Sequence, residues 1–229
     1  MENRYKRNHS AITAEENVLL AKKKVFIAGC GGLGGYILEM MLRIGVGHIV
    51  VADPDDFDET NLNRQLLCRE TLLGYKKTTA AIERASLINS GVNITAYHEK
   101  VCRENVIPLC SGSDLIMDGL DSFDDRIILE EAAEELGIPL VHGAIAGWYG
   151  QVCVVFPGDK SLSHIYGRHK GEGIEKGLGN PSFTPAVIAG IQVSEAIKVL
   201  LGKPDILRFK LLHIDLMSHS YSELDLKSR

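Results

Sequence analysis

The chain has 229 residues, of which 45% are hydrophobic and 24% are charged, a composition typical of one compact globular domain. The net charge is −5 at pH 7 and the isoelectric point is near 5.9, so neither a nucleic acid nor a membrane is expected as partner. The charged N-terminus precedes no apolar run, so we expect no secretory signal. The most apolar stretches, such as residues 25–28 and 49–52, are far shorter than a membrane span.

Five cysteines, at positions 30, 68, 102, 110 and 153, are spread along the chain without close pairs. An odd and scattered set favours reduced thiols over a disulfide framework. We therefore expect a cytoplasmic protein.

Strand-length apolar runs alternate with helical patterns over the first two-thirds of the chain, which predicts a parallel α/β sheet. Strands are predicted at residues 24–29, 48–53, 94–98, 114–118 and 139–141. Helices are predicted at about residues 33–44, 75–89 and 124–136. Residues 151–157 alternate apolar with polar side chains, as an antiparallel strand does.

The last third of the chain changes character. Residues 158–185 are rich in Gly, Lys, His and Ser, and a segment of that length without apolar periodicity is usually a functional loop or disordered. A buried helix at 186–201 and a final strand at 207–216 follow. The predicted fold is α/β, a Rossmann-like, mostly parallel sheet with helices on both faces and antiparallel C-terminal strands.

A glycine-rich turn joins the first predicted strand to the first predicted helix. Residues 29–34 read Gly-Cys-Gly-Gly-Leu-Gly, and Asp53 ends the next strand. Glycines at such a turn let phosphate approach backbone amides, and an acidic residue at that spacing can bind ribose hydroxyls. The pattern predicts a nucleotide site without choosing the nucleotide; glycines kept for packing alone and a nicotinamide-dependent dehydrogenase are alternatives.

Two cations favour a triphosphate over a dinucleotide. Residues 61–65 read Asn-Leu-Asn-Arg-Gln, and Lys77 stands near the start of the next predicted helix. The Arg64 guanidinium can grip phosphate oxygens in a fork, and the Lys77 ammonium adds a mobile point charge. Alternatively, both are ordinary solvated side chains.

Acidic residues follow the buried strand at 114–118. Residues 118–122 read Asp-Gly-Leu-Asp-Ser, at the sheet edge where ligands of open α/β folds bind. A carboxylate there can hold Mg²⁺ while phosphates supply other ligands. The simpler alternative is that Asp121 or Ser122 caps the helix that follows.

Taken together, these motifs resemble the ThiF/MoeB/HesA superfamily of adenylyltransferases, related to ubiquitin-activating enzymes. The resemblance runs from Arg4 to about Leu226 and includes later landmarks at residues 143–151 and 192–200. It implies a single ThiF-type domain over 1–229, with an N-terminal arm or helix at 1–23, a nucleotide-binding core at 24–157, a crossover loop at 158–185 and a C-terminal helix and strands at 186–229.

The resemblance also assigns roles to individual residues. Asp53 would hold the ribose, Asp121 would bind Mg²⁺, and the phosphates would meet Asn61, Arg64 and Lys77. The full set of implied nucleotide contacts is Gly29, Gly31, Gly32, Gly34, Asp53, Asn61, Arg64, Lys77, Asp121 and Ser122.

The N-terminal residues 4–7, Arg-Tyr-Lys-Arg, resemble a family motif whose second arginine reaches the neighbouring subunit's site. Arg7 takes that place, which implies a homodimer with Arg7 as a catalytic residue beside Arg64, Lys77 and Asp121. From the residues alone, Arg7 is one cation of a basic tail. Residues 1–10 carry almost no apolar surface, so we expect little packing of that tail on its own domain.

The chain departs from the family in two ways. Many relatives bind a structural zinc through two Cys-x-x-Cys pairs, which are missing here, so we predict no zinc. His164 and His169 are interpreted as solvated loop histidines. No cysteine follows Cys153, which lies in an apolar run and is predicted to be an inert buried thiol, so adenylation without a thioester step is expected.

The predicted function is ATP- and Mg²⁺-dependent adenylylation of the C-terminal glycine of a small ubiquitin-like sulfur-carrier protein of the ThiS/MoaD type, with release of pyrophosphate. Its Gly-Gly tail would pass under residues 158–185. The alternatives are a tRNA-modifying relative that activates a carboxylate, an NAD-dependent oxidoreductase, and a binding module that kept only the fold.

Overall fold

The computed structural model describes residues 3–167 and 175–227. Its strands, in chain order, are β1 (Lys24–Ala28), β2 (His48–Ala52), β3 (Asn93–Tyr97), β4 (Leu115–Asp118), β5 (Leu140–Ala146), β6 (Tyr149–Val155), β7 (Lys210–Asp215) and β8 (Ser220–Asp225). Its α-helices are α1 (Ala14–Leu20), α2 (Gly32–Ile44), α3 (Lys77–Ile88), α4 (Val106–Cys110), α5 (Phe123–Leu136), α6 (Ser161–Tyr166), α7 (Glu175–Leu178) and α8 (Phe183–Leu200).

The eight strands form one sheet in the order β3-β2-β1-β4-β5-β6-β7-β8. The first five in that order are parallel, and β5 through β8 pair antiparallel. This confirms the predicted Rossmann-like fold. The strand order reverses between β1 and β4, and in open α/β sheets that switch point places a crevice at the carboxyl ends of the strands.

Two cores cover the two faces of the sheet. Alternation along β1 sends Val25 and Ile27 into the core shared with α2, α3 and α8, and Phe26 into the core shared with α4 and α5. All three side chains are completely buried. Burial on both faces explains why β1 is a continuous apolar run in the sequence.

Local signals set the ends of the helices. Thr13 and Glu16 form a capping box at the start of α1, and the Ser122 side chain caps α5. The left-handed Gly45 ends α2 and the left-handed Gly137 ends α5.

Three predictions about the second half of the chain were wrong. Residues 158–185 are not one irregular loop, because they contain α6, α7 and the first turn of α8. The strand opening at 139–141 extends to Ala146, since β5 forms a tight hairpin with β6 through the left-handed Gly147. The strand after α8 is not the last, because β8 pairs with it; every residue of β8 is exposed, so no apolar pattern predicted it.

Helix α8 is an apolar segment longer than any that we expected from the sequence. By length and composition its 18 residues would be enough to cross a membrane. The helix packs on α2, β4, β5 and β6, and this position accounts for its hydropathy. Gly143 of β5 allows the close approach, because a Cβ there would overlap the side chain of Gln192.

Candidate nucleotide-binding site

A cleft of about 710 Å³ opens at the carboxyl ends of β1, β2 and β4, at the switch point of the sheet. The structure brings together there nine of the residues predicted for the site. They are Gly29, Gly31, Gly32, Asp53, Asn61, Arg64, Lys77, Asp121 and Ser122.

The glycine-rich turn forms the floor of this cleft. Gly29 has φ of +90°, and a Cβ there would lie 2.8 Å from the Gly119 carbonyl oxygen, so only glycine fits. Gly32 begins α2, and a Cβ on it would meet nothing closer than Pro185, at 3.7 Å. The backbone at Gly32 therefore stays open to a ligand at the helix N-terminus.

Gly34 was also predicted to contact the nucleotide, but unlike the other three glycines of the turn it does not line the cleft. It is buried under the turn, and a Cβ on it would overlap the carbonyl oxygen of Gly29. The glycine is needed for close packing between α2 and the end of β1.

Asp53 follows β2 and is fixed by the backbone. Its two carboxylate oxygens accept hydrogen bonds from the amides of Cys30, at 2.6 Å, and Asp55, at 2.9 Å. Burial raises the pKa of Asp53, and the nearby Lys77 ammonium opposes that shift. The carboxylate is therefore held rigidly at the edge of the turn, where it can accept bonds from ribose hydroxyls.

Lys77 begins α3 with its side chain almost entirely buried, and its Nζ lies 2.7 Å from the Asp55 carboxylate. Asp55 was missed by the sequence analysis, although it stands only two residues after Asp53. It holds the ammonium at the wall of the cleft. A phosphate can take over this ammonium because the Asp55 side chain is 61% exposed and free to turn to solvent.

Arg64 and Asn61 lie on the short helical turn after β2. The Arg64 Nη1 donates to the Thr60 carbonyl, at 3.0 Å, and to Asn63 Oδ1, at 2.8 Å. The Asn61 Oδ1 accepts from the amide of Asp58, which leaves its Nδ2 as the atom that can donate to a phosphate. The side chain of Arg64 lies beside Gly32.

Between β4 and α5 two aspartates have different environments. Asp118 is completely buried, and its oxygens contact the Leu120 amide, His142 Nδ1 and the Arg126 guanidinium. Asp121 is exposed at the rim of the cleft and makes no hydrogen bond or ion pair with residues 3–167 or 175–227. Asp121 is thus the carboxylate available to a hard cation.

A magnesium ion fits this arrangement. Within the described part of the chain no group of three His, Cys, Asp or Glu side chains could hold a metal by itself. One carboxylate at the edge of a triphosphate-sized cleft is the typical protein contribution to Mg²⁺, which takes its other ligands from phosphates and water. The Ser122 hydroxyl already caps α5, since its Oγ accepts a hydrogen bond from the Asp125 amide in the first turn of that helix.

Several other charged and polar groups line the cleft and were missed by the sequence analysis. They are Asp55, Gln65, Lys100, Asp125, Arg126 and Asn180. Lys100 and Asp125 form an ion pair of 3.3 Å across one end. Asp55, Gln65, Asp125 and Arg126 stand within four positions of a predicted site residue, whereas Lys100 and Asn180 are distant from all of them in the sequence.

A second groove of about 510 Å³ meets the cleft at Arg126 and Ile145. Its walls come from β5, β6, β7, α5, α6 and α7 and are mainly apolar. Tyr149 and Tyr166 are among the lining side chains. The groove suits an extended, uncharged chain that ends near the nucleotide cleft.

The N-terminal segment packs on its own domain, against expectation. Residues Asn3–Asn8 form a 3-10 helix, and the Tyr5 ring lies against Gly45 while its hydroxyl accepts from Asn89. The only sign of this packing in the sequence was the aromatic side chain of Tyr5, whose neighbour Gly45 comes close only in the folded protein. Arg7 is exposed and lies near the carboxyl end of α2, whereas the cleft lies at the amino end of that helix of 13 residues.

The predicted inert cysteine is in the core. Cys153 is completely buried on β6, and burial raises the pKa of its thiol far above the usual range. His164 lies exposed on α6, and His169 falls outside the described residues.

Known proteins share this fold and this sequence pattern. The ThiF family matches residues 5–229. Escherichia coli MccB with succinimide superposes with a TM-score of 0.84 over 99% of this chain and 72% of that chain, at 20% identity. That likeness shows the fold alone.

Curated relatives are more similar in sequence. The chain is 35% identical to the sulfur carrier protein ThiS adenylyltransferase of Bacillus subtilis, over 80% of this chain and 56% of that protein. It is 30% identical to the SAMP-activating enzyme E1 of Haloferax volcanii, over 88% of this chain and 76% of that protein. It is also 30% identical to the sulfur carrier protein adenylyltransferase of Thermus thermophilus, over 91% of this chain and 80% of that protein. The family match and the relatives' shared name make this chain an adenylyltransferase of the ThiF family.

Proposed function

We propose that the chain uses ATP to adenylylate the C-terminal carboxylate of a small ubiquitin-like sulfur-carrier protein. The observation that carries the proposal is the junction of two cavities at Arg126 and Ile145. One is a polar cleft with a glycine turn, two cations and a free carboxylate, and the other is an apolar groove. A nucleotide in the first and a flexible tail in the second would meet at the junction.

The reaction is attack of a tail carboxylate oxygen on the α-phosphorus of ATP. An oxygen–phosphorus bond forms, the bond to the bridging oxygen breaks, and pyrophosphate leaves with that electron pair. The products are an acyl-adenylate and pyrophosphate. No side chain acts as a nucleophile, so the protein contributes orientation and charge stabilisation.

The residues of the cleft divide this work. Asp53 holds the ribose, the amides at the start of α2 meet phosphate oxygens, and Lys77 exchanges Asp55 for a phosphate. Arg64 binds the phosphates that leave as pyrophosphate. Mg²⁺ held by Asp121 would neutralise phosphate charge and keep the triphosphate in one geometry.

The tail chemistry follows from the groove. A Gly-Gly end has no side chains, so it can extend along the groove to the junction at Ile145 and Arg126, where its terminal carboxylate would meet the nucleotide. The larger body of the carrier would remain outside, over α6 and α7. Relatives named for ThiS and for sulfur-carrier proteins support this substrate class. We place the reaction in the cytoplasm, with transfer of sulfur by a separate donor.

We also propose a homodimer in which Arg7 serves the partner's cleft. Arg7 lies at the end of α2 that is remote from its own cleft, and 13 helical residues span about 20 Å. An arginine that acts at this distance from its own site can do so only across an interface.

Pyrophosphate exchange into ATP tests the function. With a purified carrier protein that ends in Gly-Gly, we expect exchange that requires Mg²⁺ and stops when the last glycine is deleted from the carrier. Calorimetry with ATP and with NAD is the companion measurement. Tight NAD binding without response to ATP and Mg²⁺ would favour an oxidoreductase, and exchange driven by a tRNA without any carrier would favour the tRNA-modifying alternative.

A further inference from the structure

A chain of buried polar side chains runs beneath the junction of cleft and groove. Asp118 at the end of β4 lies 2.6 Å from His142 Nδ1 on β5, and His142 Nε2 lies 2.9 Å from the Tyr166 hydroxyl on α6. The Gln151 amide of β6 donates to the same hydroxyl. Asp118 and His142 are both completely buried.

The direction of each hydrogen bond is set by chemistry. The Asp118 carboxylate only accepts, so Nδ1 of His142 carries the proton. Burial lowers the pKa of His142, and the ring is therefore neutral with Nε2 as an acceptor. The Tyr166 hydroxyl consequently donates to Nε2 and accepts from Gln151. We call this series Asp118–His142–Tyr166–Gln151 the relay.

One end of the relay holds the segment that carries Asp121. The Asp118 carboxylate accepts from the Leu120 amide at 2.9 Å, and the Asp118 carbonyl accepts from Gln192 of α8 at 2.9 Å. The Arg126 guanidinium donates to the Leu120 carbonyl at 2.7 Å. A shift of Asp118 would therefore move the backbone that places Asp121.

The other end belongs to the groove. Tyr166 stacks on Phe123 with ring centroids 4.9 Å apart and lines the groove. Helix α6 is pinned to α5, because the buried Glu130 accepts from the amides of Leu162, at 2.6 Å, and Ser163, at 2.8 Å. The Tyr166 hydroxyl thus has few positions open to it, and a chain in the groove would lie beside this residue.

We propose that His142 is a positioning residue that couples occupancy of the groove to the Asp121 segment. A tail lying over Gln151 and Tyr166 restrains the hydroxyl, the imidazole passes this restraint to Asp118, and the segment 118–122 is held ready for metal and phosphates. Binding of the tail and of Mg²⁺-nucleotide then strengthen each other, as reciprocal coupling requires. The inference rests on the proposed function.

Two substitutions of one residue separate the ends of the relay. His142→Asn places an amide where Nδ1 stood, so it keeps the donor to Asp118 and loses the acceptor for Tyr166. His142→Gln places its amide near the position of Nε2, so it keeps the contact with Tyr166 and loses the donor to Asp118. Tyr166→Phe removes the hydroxyl alone. Tyr221→Phe is the control, because Tyr221 is an exposed tyrosine of β8 that lines neither the groove nor the cleft.

Calorimetry measures the affinity of the protein for the Mg²⁺ complex of α,β-methylene-ATP. The titration is run with and without a synthetic peptide that ends in Gly-Gly. For the wild type and Tyr221→Phe we expect the peptide to raise this affinity about fivefold or more. Tyr166→Phe and His142→Asn should bind nucleotide alone within about twofold of wild type, with the increase due to peptide lost. His142→Gln should weaken nucleotide binding even without peptide.

The results distinguish the inference from the function. Full coupling retained in folded Tyr166→Phe, or no coupling in a wild type that binds both ligands, overturns the relay while pyrophosphate exchange and the function stand. A wild type that binds nucleotide but not the peptide overturns the role of the groove and with it the relay. A wild type without pyrophosphate exchange contradicts the function itself.

Discussion

Gly32 and Gly34 stand two positions apart on the same turn, yet the structure gives them opposite roles. A methyl group at Gly32 would have Pro185 as its nearest neighbour, at 3.7 Å, an ordinary contact. A methyl group at Gly34 would overlap the Gly29 carbonyl. Gly32→Ala therefore probes the space for the ligand, and Gly34→Ala probes the packing of the protein.

The magnitudes follow from these contacts. Alanine in place of a helical glycine stabilises by about 0.5–1 kcal/mol, so the melting temperature of Gly32→Ala should equal that of wild type or exceed it by about 1–4 °C. Its methyl group keeps phosphate from the amides, and loss of one hydrogen bond to a charged group weakens ATP binding by about 10- to 100-fold. Overlap with backbone at Gly34 should cost about 3 kcal/mol or more and lower the melting temperature by about 6–12 °C.

Differential scanning fluorimetry and titration calorimetry measure both quantities on the same samples. The expected pattern is a stable Gly32→Ala with weak ATP binding, beside a destabilised Gly34→Ala. Wild-type affinity for ATP in a folded Gly32→Ala would refute the reasoning, because phosphate would then not approach the start of α2.

Three further predictions concern the metal, the dimer and zinc. Asp121→Ala should lower pyrophosphate exchange by about 10²-fold or more without a change in melting temperature, whereas Asp124→Ala, in the first turn of α5 and outside the cleft, should keep wild-type exchange. Arg7→Ala mixed with Asp121→Ala should recover about a quarter of wild-type activity after random subunit exchange, since half of the dimers then hold one intact site; no recovery despite proven exchange would place Arg7 outside the partner's site. Metal analysis of the purified protein should find no stoichiometric zinc, and one tightly bound zinc per chain would show a ligand set other than paired thiolates.

Local patterns in the sequence predicted the site where its parts are close in the chain. The glycine turn, Asp53 and the residues after β4 each end a strand, and parallel strands bring their carboxyl ends to one edge. That rule placed Asp53 and Asp121 at one cleft although 68 positions separate them in the sequence. The fold class followed from the same alternation of strands and helices.

Contacts between residues that are distant in the sequence could not be predicted from local patterns. The contact of His142 with Asp118 requires β5 to lie beside β4, and that of His142 with Tyr166 requires α6 to pack against α5. Gly34 is the third glycine of the nucleotide fingerprint and Gly32 stands at one of its variable positions, yet a Cβ meets backbone at Gly34 and open space at Gly32, a difference that depends on where the Gly29 carbonyl lies. Tyr5 was overlooked since one aromatic ring gives no periodicity, while its docking depends on the shape of Gly45.

Intact-mass spectrometry of the carrier protein tests the central claim most directly. The wild-type enzyme, incubated with ATP, Mg²⁺ and a carrier that ends in Gly-Gly, should convert the carrier to a species heavier by one AMP. Hydroxylamine should remove the adduct, as expected of an acyl-adenylate, and the carrier without its last glycine should stay unmodified. A carrier that keeps its mass while the enzyme is shown to bind both it and ATP would contradict the account.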